Sequence, residues 1–269
     1  MITKKLKCLW YITNNVSLFD LQLMHLDKIL QSQGFGSRKH CRALIERGHV
    51  RIAGDTITNI KANIPTENLT LEINGQLWPY HAKVYIALNK PQGYECSHQP
   101  QNHHSVFSLF AAPLLERGLQ SVGRLDQDTT GLLILTDDGP YLHALTHPRK
   151  HVSKRYLVTT AWPITAAQIH QLEQGVSLQG EDELVRADHC EQRGECSLAL
   201  TIHQGIYHQV KRMLAAVGNH VAALHREQMG QLVLNNLGLA EGEWCYLTAE
   251  QMLQARQTQN LAADAAQSV

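Results

Sequence analysis

Apolar and polar positions follow each other in short blocks along most of the chain, and several apolar blocks have the length of a β-strand. The clearest block is 131–136, Gly-Leu-Leu-Ile-Leu-Thr, which an Asp-Asp-Gly turn ends. Residues 119–125 precede it and are expected to form its partner strand, while Asp137 and Asp138 are expected to be solvated turn residues. Further strands are predicted at 49–52, 84–88, 156–158, 220–226 and 232–237, with two or three more within 175–202.

Helical spacing of apolar residues marks the beginning of the chain after residue 24. Leu26, Ile29 and Leu30 share one face of a helix that Gly34 ends. Ser37 is a suitable N-cap for a second helix, which is expected to end at Gly48. More helices are predicted at 141–145, 165–174 and 205–218, and one follows a polar segment within 97–118.

These elements divide the chain into four regions. Residues 1–23 lack the long apolar stretch and the cleavage site of a signal peptide. We expect translation to begin at Met24, with residues 1–23 a non-native or disordered extension. Residues 24–80 form a small module with its linker, residues 81–253 a larger domain, and residues 254–269 a disordered tail.

The charge is balanced overall but divided unevenly along the chain. Residues 1–80 contain ten basic and six acidic residues, so the remaining chain carries an equal excess of negative charge. A basic N-terminal third is typical of a segment that binds phosphate groups. The six cysteines form no Cys-x-x-Cys pair, which indicates reduced thiols in the cytoplasm, and no histidine spacing predicts a metal site. No apolar run is long enough to span a membrane.

Asp126 lies on a polar loop between glycines, directly before the apolar run 131–136, where rigid scaffolds place reactive side chains. The segment reads Gly-Arg-Leu-Asp, then Thr-x-Gly-Leu-Leu-x-Leu-Thr-x-Asp-Gly, and continues for seventeen residues without a gap. It resembles the signature of the RsuA-type pseudouridine synthases. The resemblance implies that Asp126 is the catalytic aspartate of that family.

Three further motifs occur in the order of the same family. Leu-Asn-Lys-Pro-x-Gly precedes the Asp126 loop, and Lys-x-Tyr-x-Val follows it with Lys154 and Tyr156. In Tyr-His-Gln-Val-Lys-Arg-Met, Lys211 takes the position of the basic residue that pairs with the aspartate, and Arg212 is expected to be a phosphate or structural contact. The family usually has a basic residue where this chain has Ile206.

Residues 25–53 resemble the S4-type RNA-binding module. They contain Leu-Asp-Lys, then Gly-x-x-Ser-Arg, then Leu-Ile-x-x-Gly-x-Val, in that order. The resemblance implies that four basic side chains approach RNA phosphates: Arg38, Lys39, Arg42 and Arg51. Ala53 stands where the family more often has Asn or Asp, which we expect to alter the turn and leave the binding face unchanged.

The resemblance implies an α+β fold, with a small N-terminal S4-type domain and a catalytic domain built on a mixed, mainly antiparallel sheet flanked by helices. Pseudouridine formation detaches the base, turns it and rejoins it through carbon, so no cofactor and no metal are expected. Asp126 must be ionised and shielded from water, with Lys211 as the neighbouring cation. Tyr156 is expected to stack on the extruded base, and Arg124 to fill the vacated space or hold the loop.

Three functions are weighed against one another. The first is an RNA pseudouridine synthase, and the third motif favours members that act on 16S over 23S ribosomal RNA. We expect a cytoplasmic monomer acting on 16S RNA in an assembly intermediate of the small subunit. The second is a non-catalytic RNA-binding or ribosome-assembly protein, which an absent aspartate would favour. The third is a hydrolase using Asp126 and Asp128, whose side chains point to opposite sides if the backbone is extended.

Overall fold

The computed structural model describes residues 22–147, 150 and 152–257. They fall into two compact units, one comprising the residues up to Ala82 with Ala112–Arg117, the other Lys83–Ala111 with the residues from Gly118 onward. The boundary after Ala82 lies two residues beyond the sequence prediction. Residues 1–21 and 258–269, and with them most of the predicted extension and tail, lie outside the described residues.

From residue 22 onward, where the structure describes it, the N-terminal unit contains six short strands and three helices. The strands form two antiparallel sheets, one of order β1-β4 and one of order β3-β2-β5-β6. Their bounds are β1 Leu23–His25, β2 Val50–Ile52, β3 Asp55–Thr56, β4 Asn63–Pro65, β5 Thr70–Ile73 and β6 Gln76–Pro79, and the helices are α1 Leu26–Ser32, α2 Arg38–Glu46 and α3 Ala112–Glu116.

Two sequence predictions for this unit are confirmed. Leu26, Ile29 and Leu30 are fully buried on one face of α1, in a core that they share with α2 and β5. The Ser37 hydroxyl accepts a hydrogen bond from the His40 amide and so caps α2. Gly34 is required after α1, because it has a φ of +83° and a Cβ there would lie 1.9 Å from the Pro113 carbonyl oxygen.

The C-terminal unit is built on a mixed, mainly antiparallel sheet of order β13-β14-β12-β15-β11-β7-β17, with β10 beside β11 and β16 beside β15. A separate parallel pair is β8 with β9. The strands are β7 Tyr85–Lys90, β8 Tyr94–Glu95, β9 His104–Ser105, β10 Gln120–Ser121, β11 Thr129–Thr136, β12 Lys154–Thr160, β13 His189–Gly194, β14 Ser197–Ile202, β15 Val221–Met229, β16 Leu232–Val233 and β17 Trp244–Tyr246.

Helices and 3₁₀ turns connect these strands. The helices are α4 Gly139–Thr146, α5 Ala166–Gln174, α6 Gln209–Ala216 and α7 Ala249–Arg256, and the 3₁₀ helices are Val106–Leu109 and Leu234–Leu237. The α+β fold expected from the sequence is therefore confirmed. Among the described residues, no helix is long and apolar enough to cross a membrane, and no three His, Cys, Asp or Glu side chains are grouped to hold a metal ion.

Several local predictions differ from the structure. Residues 234–237 were expected in a strand but turn into a 3₁₀ helix after β16. Helix α7 was not predicted as a helix and extends to Arg256, because its buried Ala255 packs into the core of the unit. Asp137 and Asp138 accept hydrogen bonds from the Val84 amide (2.8 Å) and the Tyr85 hydroxyl (2.6 Å), so these turn carboxylates also tie β11 to β7.

Candidate active site

The loop before β11 forms a turn that backbone hydrogen bonds hold in place. The Thr129 amide donates to the Asp126 carbonyl oxygen at 3.1 Å, and the Gly93 amide donates to the Gln127 carbonyl oxygen at 2.7 Å. The loop then enters the sheet at Gly131, where β11 runs parallel to β15. A Cβ at Gly131 would lie 2.3 Å from the Arg226 carbonyl oxygen, so only glycine permits this approach.

Lys90 fixes the same loop and was not identified as a site residue from the sequence. Its side chain is fully buried at the end of β7, and its ammonium group donates to the carbonyl oxygens of Thr129 (2.9 Å), Pro91 (3.0 Å) and Gln127 (3.4 Å). Burial lowers the pKa of Lys90 below its ordinary value. Its position in the Leu-Asn-Lys-Pro-x-Gly motif was the available signal, and three carbonyl contacts explain why that motif contains a lysine.

Asp126, Asp128 and Lys211 form a compact charged group at the N-terminal end of α6. The Lys211 ammonium lies 2.9 Å from Asp126 Oδ2 and 2.7 Å from Asp128 Oδ1. Burial alone would lower the pKa of Lys211, but the hydrogen bonds to Asp128 and Asp126 outweigh it and raise the pKa. Burial likewise opposes ionisation of Asp128, yet Lys211 holds the pKa of that carboxyl below its ordinary value. Lys211 therefore favours the charged form of Asp128, and its contacts with Asp126 and Asp128 fix the orientation of both carboxylates.

The backbone between Asp126 and Asp128 is not extended, so the condition under which their side chains would point to opposite sides is not met. Both carboxylates reach the same ammonium group, because residues 126–129 form a turn closed by the hydrogen bond from the Thr129 amide. Side chains alternate only along an extended backbone. The sequence could not reveal this difference, since the turn depends on its support by Lys90 and Gly93.

His208 is a second neighbour of Asp126 that sequence reasoning missed. Its Nε2 atom lies 3.3 Å from Asp126 Oδ1, on the opposite oxygen from the one that Lys211 contacts. His208 precedes α6 with a left-handed backbone (φ +52°, ψ +31°), which explains why that helix begins at Gln209 rather than at the predicted residue 205. The exposed Tyr207 ring stacks on the imidazole at 3.8 Å between ring centroids.

Asp126 and Lys211 form part of the wall of a cavity of about 470 Å³. Its lining includes Asp126, Arg124, Tyr156, Lys154 and Lys211, but not Arg212, which was predicted with them. Tyr156 is 7% exposed, and Arg124 is exposed. A cavity of this volume with a few convergent polar groups is typical of a small-molecule or nucleotide site.

Lys154 occupies the same wall near the start of β12. Its ammonium donates to the carbonyl oxygens of Val152 at 3.0 Å and His203 at 3.1 Å. Burial, and then the nearby Arg226 cation, lower the pKa of Lys154 to about 8. Lys154 is therefore a structural donor as well as a cavity residue.

The guanidinium group of Arg212 is engaged in contacts within the protein. It donates to the Gln179 carbonyl oxygen and to the Tyr207 carbonyl oxygen at 3.3 Å, and it lies 3.5 Å from Glu181 Oε1. These contacts join residues 179–181 to the segment that carries Tyr207 and His208. Of the two readings that the sequence left open, the geometry favours the structural contact.

In the N-terminal unit, the predicted basic residues are all exposed and lie on or near α2 and β2. The Nε atoms of Arg38 and Arg42 each lie 3.0 Å from one oxygen of the buried Asp27 carboxylate. Arg51 pairs with Glu72 at 3.4 Å. The Arg38 and Arg42 side chains are still 53% and 45% exposed beside this carboxylate, so both are accessible from solvent.

Comparison with known proteins defines the class of both units. Residues 84–216 match the family model described as RNA pseudouridylate synthase, and residues 24–67 match the S4 domain. Together with the cavity and the Asp126–Lys211 pair in its wall, these matches define an RNA-modifying enzyme that carries an S4-type RNA-binding domain.

Individual relatives extend the similarity to most of the chain. The ribosomal small subunit pseudouridine synthase A of Salmonella typhimurium is 40% identical over 229 residues, which are 85% of this chain and 98% of that protein. The protein of the same name from Escherichia coli K12 is 39% identical over the same length. A crystal structure of a pseudouridylate synthase matches with a TM-score of 0.61 and 36% identity, covering 86% of this chain and 99% of the other. The chain belongs to the RNA pseudouridylate synthase family and is an isomerase.

Proposed function

We propose that this enzyme converts one uridine of small-subunit (16S) ribosomal RNA to pseudouridine, with Asp126 as the catalytic carboxylate in a pocket that receives the extruded base. The observation that supports this most strongly is the Lys211 ammonium 2.9 Å from Asp126, in the wall of a cavity that also contains Tyr156. The small-subunit target rests on the names of the relatives that match 85% of the chain.

Cleavage of the glycosidic bond is favoured by a charged carboxylate beside the sugar. Breaking the glycosidic bond places positive charge on the ribose, which a nearby carboxylate stabilises. Lys211 and His208 each approach a different oxygen of Asp126, so the carboxylate is held in one orientation before the substrate enters. No water is consumed and no electrons leave, which agrees with an isomerase that needs no cofactor.

The uridine reaches this carboxylate only after it leaves its stack. Unstacking costs on the order of a few kcal/mol. Stacking on an aromatic ring such as Tyr156 returns about 1–3 kcal/mol. Arg124 is exposed at the cavity and adjacent to Asp126, which suits it to fill the space that the base vacates.

The N-terminal unit supplies affinity for the RNA backbone. Arg38, Arg42, Lys39 and Arg51 are exposed, and phosphate contacts from such side chains make binding strongly dependent on salt. We propose that the enzyme acts as a cytoplasmic monomer on 16S RNA within an assembly intermediate, because a uridine in a fully assembled particle is less accessible to a pocket of this depth.

The test is chemical mapping of pseudouridine in 16S and 23S RNA from cells with and without the gene. We expect one 16S position to lose the modification in its absence. A plasmid encoding the wild-type chain should restore it, and one encoding Asp126→Asn should not. Loss at a 23S position would assign the enzyme to the other subunit, and unchanged maps of both RNAs would contradict the proposal.

A further inference from the structure

Two polar atoms in the cavity are buried and have no hydrogen-bond partner among the described residues. They are Nη2 of Arg226 and Oγ1 of Thr129, each belonging to a side chain that is about 1% exposed. Both residues line the cavity that contains Asp126 and Tyr156. Buried polar groups are nearly always paired in folded proteins, so these two atoms are candidates to pair with a molecule that enters the cavity.

The strand arrangement places Arg226 beside the ring expected to stack on the base. Arg226 is opposite Tyr156 in the register of β15 and β12, and opposite Gly131 in the register of β15 and β11. Residues opposite each other on neighbouring strands direct their side chains to the same face of the sheet. The Arg226 Nε atom donates to the Leu132 carbonyl oxygen at 2.7 Å, which anchors one side of the guanidinium group. Nη2 is therefore held in place without a partner of its own.

The positive charge of Arg226 restricts which chemical groups of a ligand can lie beside it. A guanidinium group is always protonated in proteins and donates but never accepts. One charged neighbour of Arg226 is Lys154, another cation, whose pKa Arg226 helps to lower. A buried cation beside a second cation requires an acceptor oxygen that carries partial negative charge.

We propose that Arg226 and Thr129 form the subsite for the O2–N3–O4 edge of the extruded uracil ring. In this arrangement, which rests on the proposed function, Arg226 Nη2 donates to a ring carbonyl oxygen and Thr129 Oγ1 accepts from N3–H. The Tyr156 ring covers the face of the base, and Asp126 lies at its sugar. A phosphate is a poorer fit, because the ribose and phosphates follow the backbone while the base enters the enclosed part of the cavity.

The symmetry of uracil explains why this edge suits an isomerase. When the detached base turns half a revolution about the axis through N3 and C6, N1 and C5 exchange places. The same rotation exchanges O2 and O4, so the edge presents carbonyl, N–H and carbonyl both before and after. A subsite for this edge therefore holds the base in either orientation. Cytosine has an amino group at C4 and no proton on N3, so it lacks this symmetry and presents the wrong groups.

The bond changes give Arg226 a second effect. The C1′–N1 bond breaks with its electron pair on the base, and the resulting negative charge is shared with the ring oxygens. After the turn, C5 forms the bond to C1′, the C5 proton leaves and N1 gains a proton, so atoms and electrons balance. A cation at a ring oxygen is bound more tightly to the charged intermediate than to neutral uridine. We therefore expect Arg226 to affect kcat more than KM.

The first experiment compares Thr129→Val with Thr136→Val. Both replace a buried threonine of β11 by a residue of the same shape, but the Thr136 hydroxyl donates to the Val84 carbonyl oxygen at 2.6 Å and lies outside the cavity. Thr129→Val should lower kcat/KM roughly three- to ten-fold with an unchanged or higher Tm, since it removes an unpaired hydroxyl. Thr136→Val should lower Tm and leave kcat/KM unchanged below the transition. Full kcat/KM in Thr129→Val would overturn the subsite.

The second experiment measures discrimination in the inactive Asp126→Asn background. RNA with uridine at the target should bind more tightly than RNA with cytidine or 3-methyluridine there, and Arg226→Gln should lower this preference about ten-fold or more. An undiminished preference in a folded Arg226→Gln protein would contradict the proposal. If Arg226→Gln does not fold, the same measurement on Thr129→Val decides. Wild-type protein that forms no pseudouridine would refute the proposed function, whereas active wild type with indifferent variants would refute the subsite alone.

Discussion

Each unit of the molecule contains a group of three charged side chains, but the two groups present opposite charges. In the N-terminal unit a single carboxylate, Asp27, is 3% exposed and holds Arg38 and Arg42, which are 53% and 45% exposed. In the catalytic unit a single lysine, Lys211, is 25% exposed and holds Asp126 and Asp128, which are 31% and 44% exposed. In both, the least exposed member is the shared one, and its two partners face outward.

In each group, the shared and least exposed side chain determines which charge the group presents at the surface. A buried anion with two cations leaves an excess of positive charge and free guanidinium donors, which suits phosphate binding. A partly buried cation with two anions leaves an excess of negative charge, and one of these anions, Asp126, lines the cavity, which suits reaction at an electron-poor sugar. Under the proposed function, the same ion-pair chemistry would serve RNA binding in one unit and catalysis in the other.

The largest expected effect separates the two aspartates that share Lys211. Asp126→Asn should lower pseudouridine formation on the order of a thousandfold or more, because it removes the reacting carboxylate. Asp128→Asn should lower it about ten-fold, because Lys211 still orients Asp126. Single-turnover assays on a 16S fragment measure both, and filter binding checks that RNA affinity is kept. Equal losses in the two variants would mean that the pair acts as one unit and that Asp126 has no separate role.

A smaller effect tests the shared anion of the N-terminal unit. Asp27→Asn raises the net charge of the protein by one, so simple charge attraction predicts tighter RNA binding. We expect weaker binding by a few-fold, because Arg38 and Arg42 lose the carboxylate that positions them. Equilibrium titration with the RNA fragment at one salt concentration gives the sign, and Glu46→Gln on α2 is the control for the change in charge. Tighter binding in Asp27→Asn would show that positioning has no part.

The stability of the wild-type protein should depend on pH through Asp27, with a defined sign. Burial opposes ionisation of Asp27, but Arg38 and Arg42 outweigh it and hold the pKa of the carboxyl below its ordinary value of 3.8. The unfolded chain therefore takes up the proton first as pH falls, so the stability from this group is present above pH 3.8 and is lost below it. Urea unfolding from pH 5 down to about pH 3 should show a loss in the wild type that is smaller in Asp27→Asn.

Lys154 gives the opposite dependence in the catalytic unit. Burial and Arg226 lower its pKa from 10.5 to about 8, so the unfolded chain binds more protons between these values. Stability from this group should therefore rise as pH increases from about 8 toward 10.5. Unfolding free energies at the two ends of this window should show the rise in wild type and in the exposed control Lys39→Met, and not in Lys154→Met. In Arg226→Gln the window should begin at higher pH, because a neighbouring cation is gone.

The smallest expected effect concerns backbone strain in the two units. Ala53 (φ +48°) and His208 (φ +52°) both have a left-handed backbone without being glycine. Ala53→Asn should stabilise the turn between β2 and β3 by about 0.5–1 kcal/mol, because asparagine tolerates this conformation better than alanine. Thermal unfolding checks the gain, and RNA affinity should not change. His208→Asn should also relieve strain but should lower activity, because the contact to Asp126 is lost.

Several parts of both units were predictable because the signal lies in neighbouring residues. The Ser37 cap, the α1 face and the strand 131–136 all depend on local patterns, and the structure confirms them. The family motifs assigned Asp126, Tyr156 and Lys211 to one proposed site, and in the structure all three line one cavity. The start of α6 was misplaced, since a left-handed residue at His208 depends on contacts outside the helix.

Sequence alone thus determined the fold class, the family and the central carboxylate–lysine pair, because short motifs and local periodicity contain that information. Only the tertiary structure decided that Asp126 and Asp128 share one side of the loop, that Lys90 supports the loop from beneath, and that Arg226 and Thr129 face the cavity. These facts depend on contacts and strand register between segments far apart in the chain, and register is set by packing over the whole sheet.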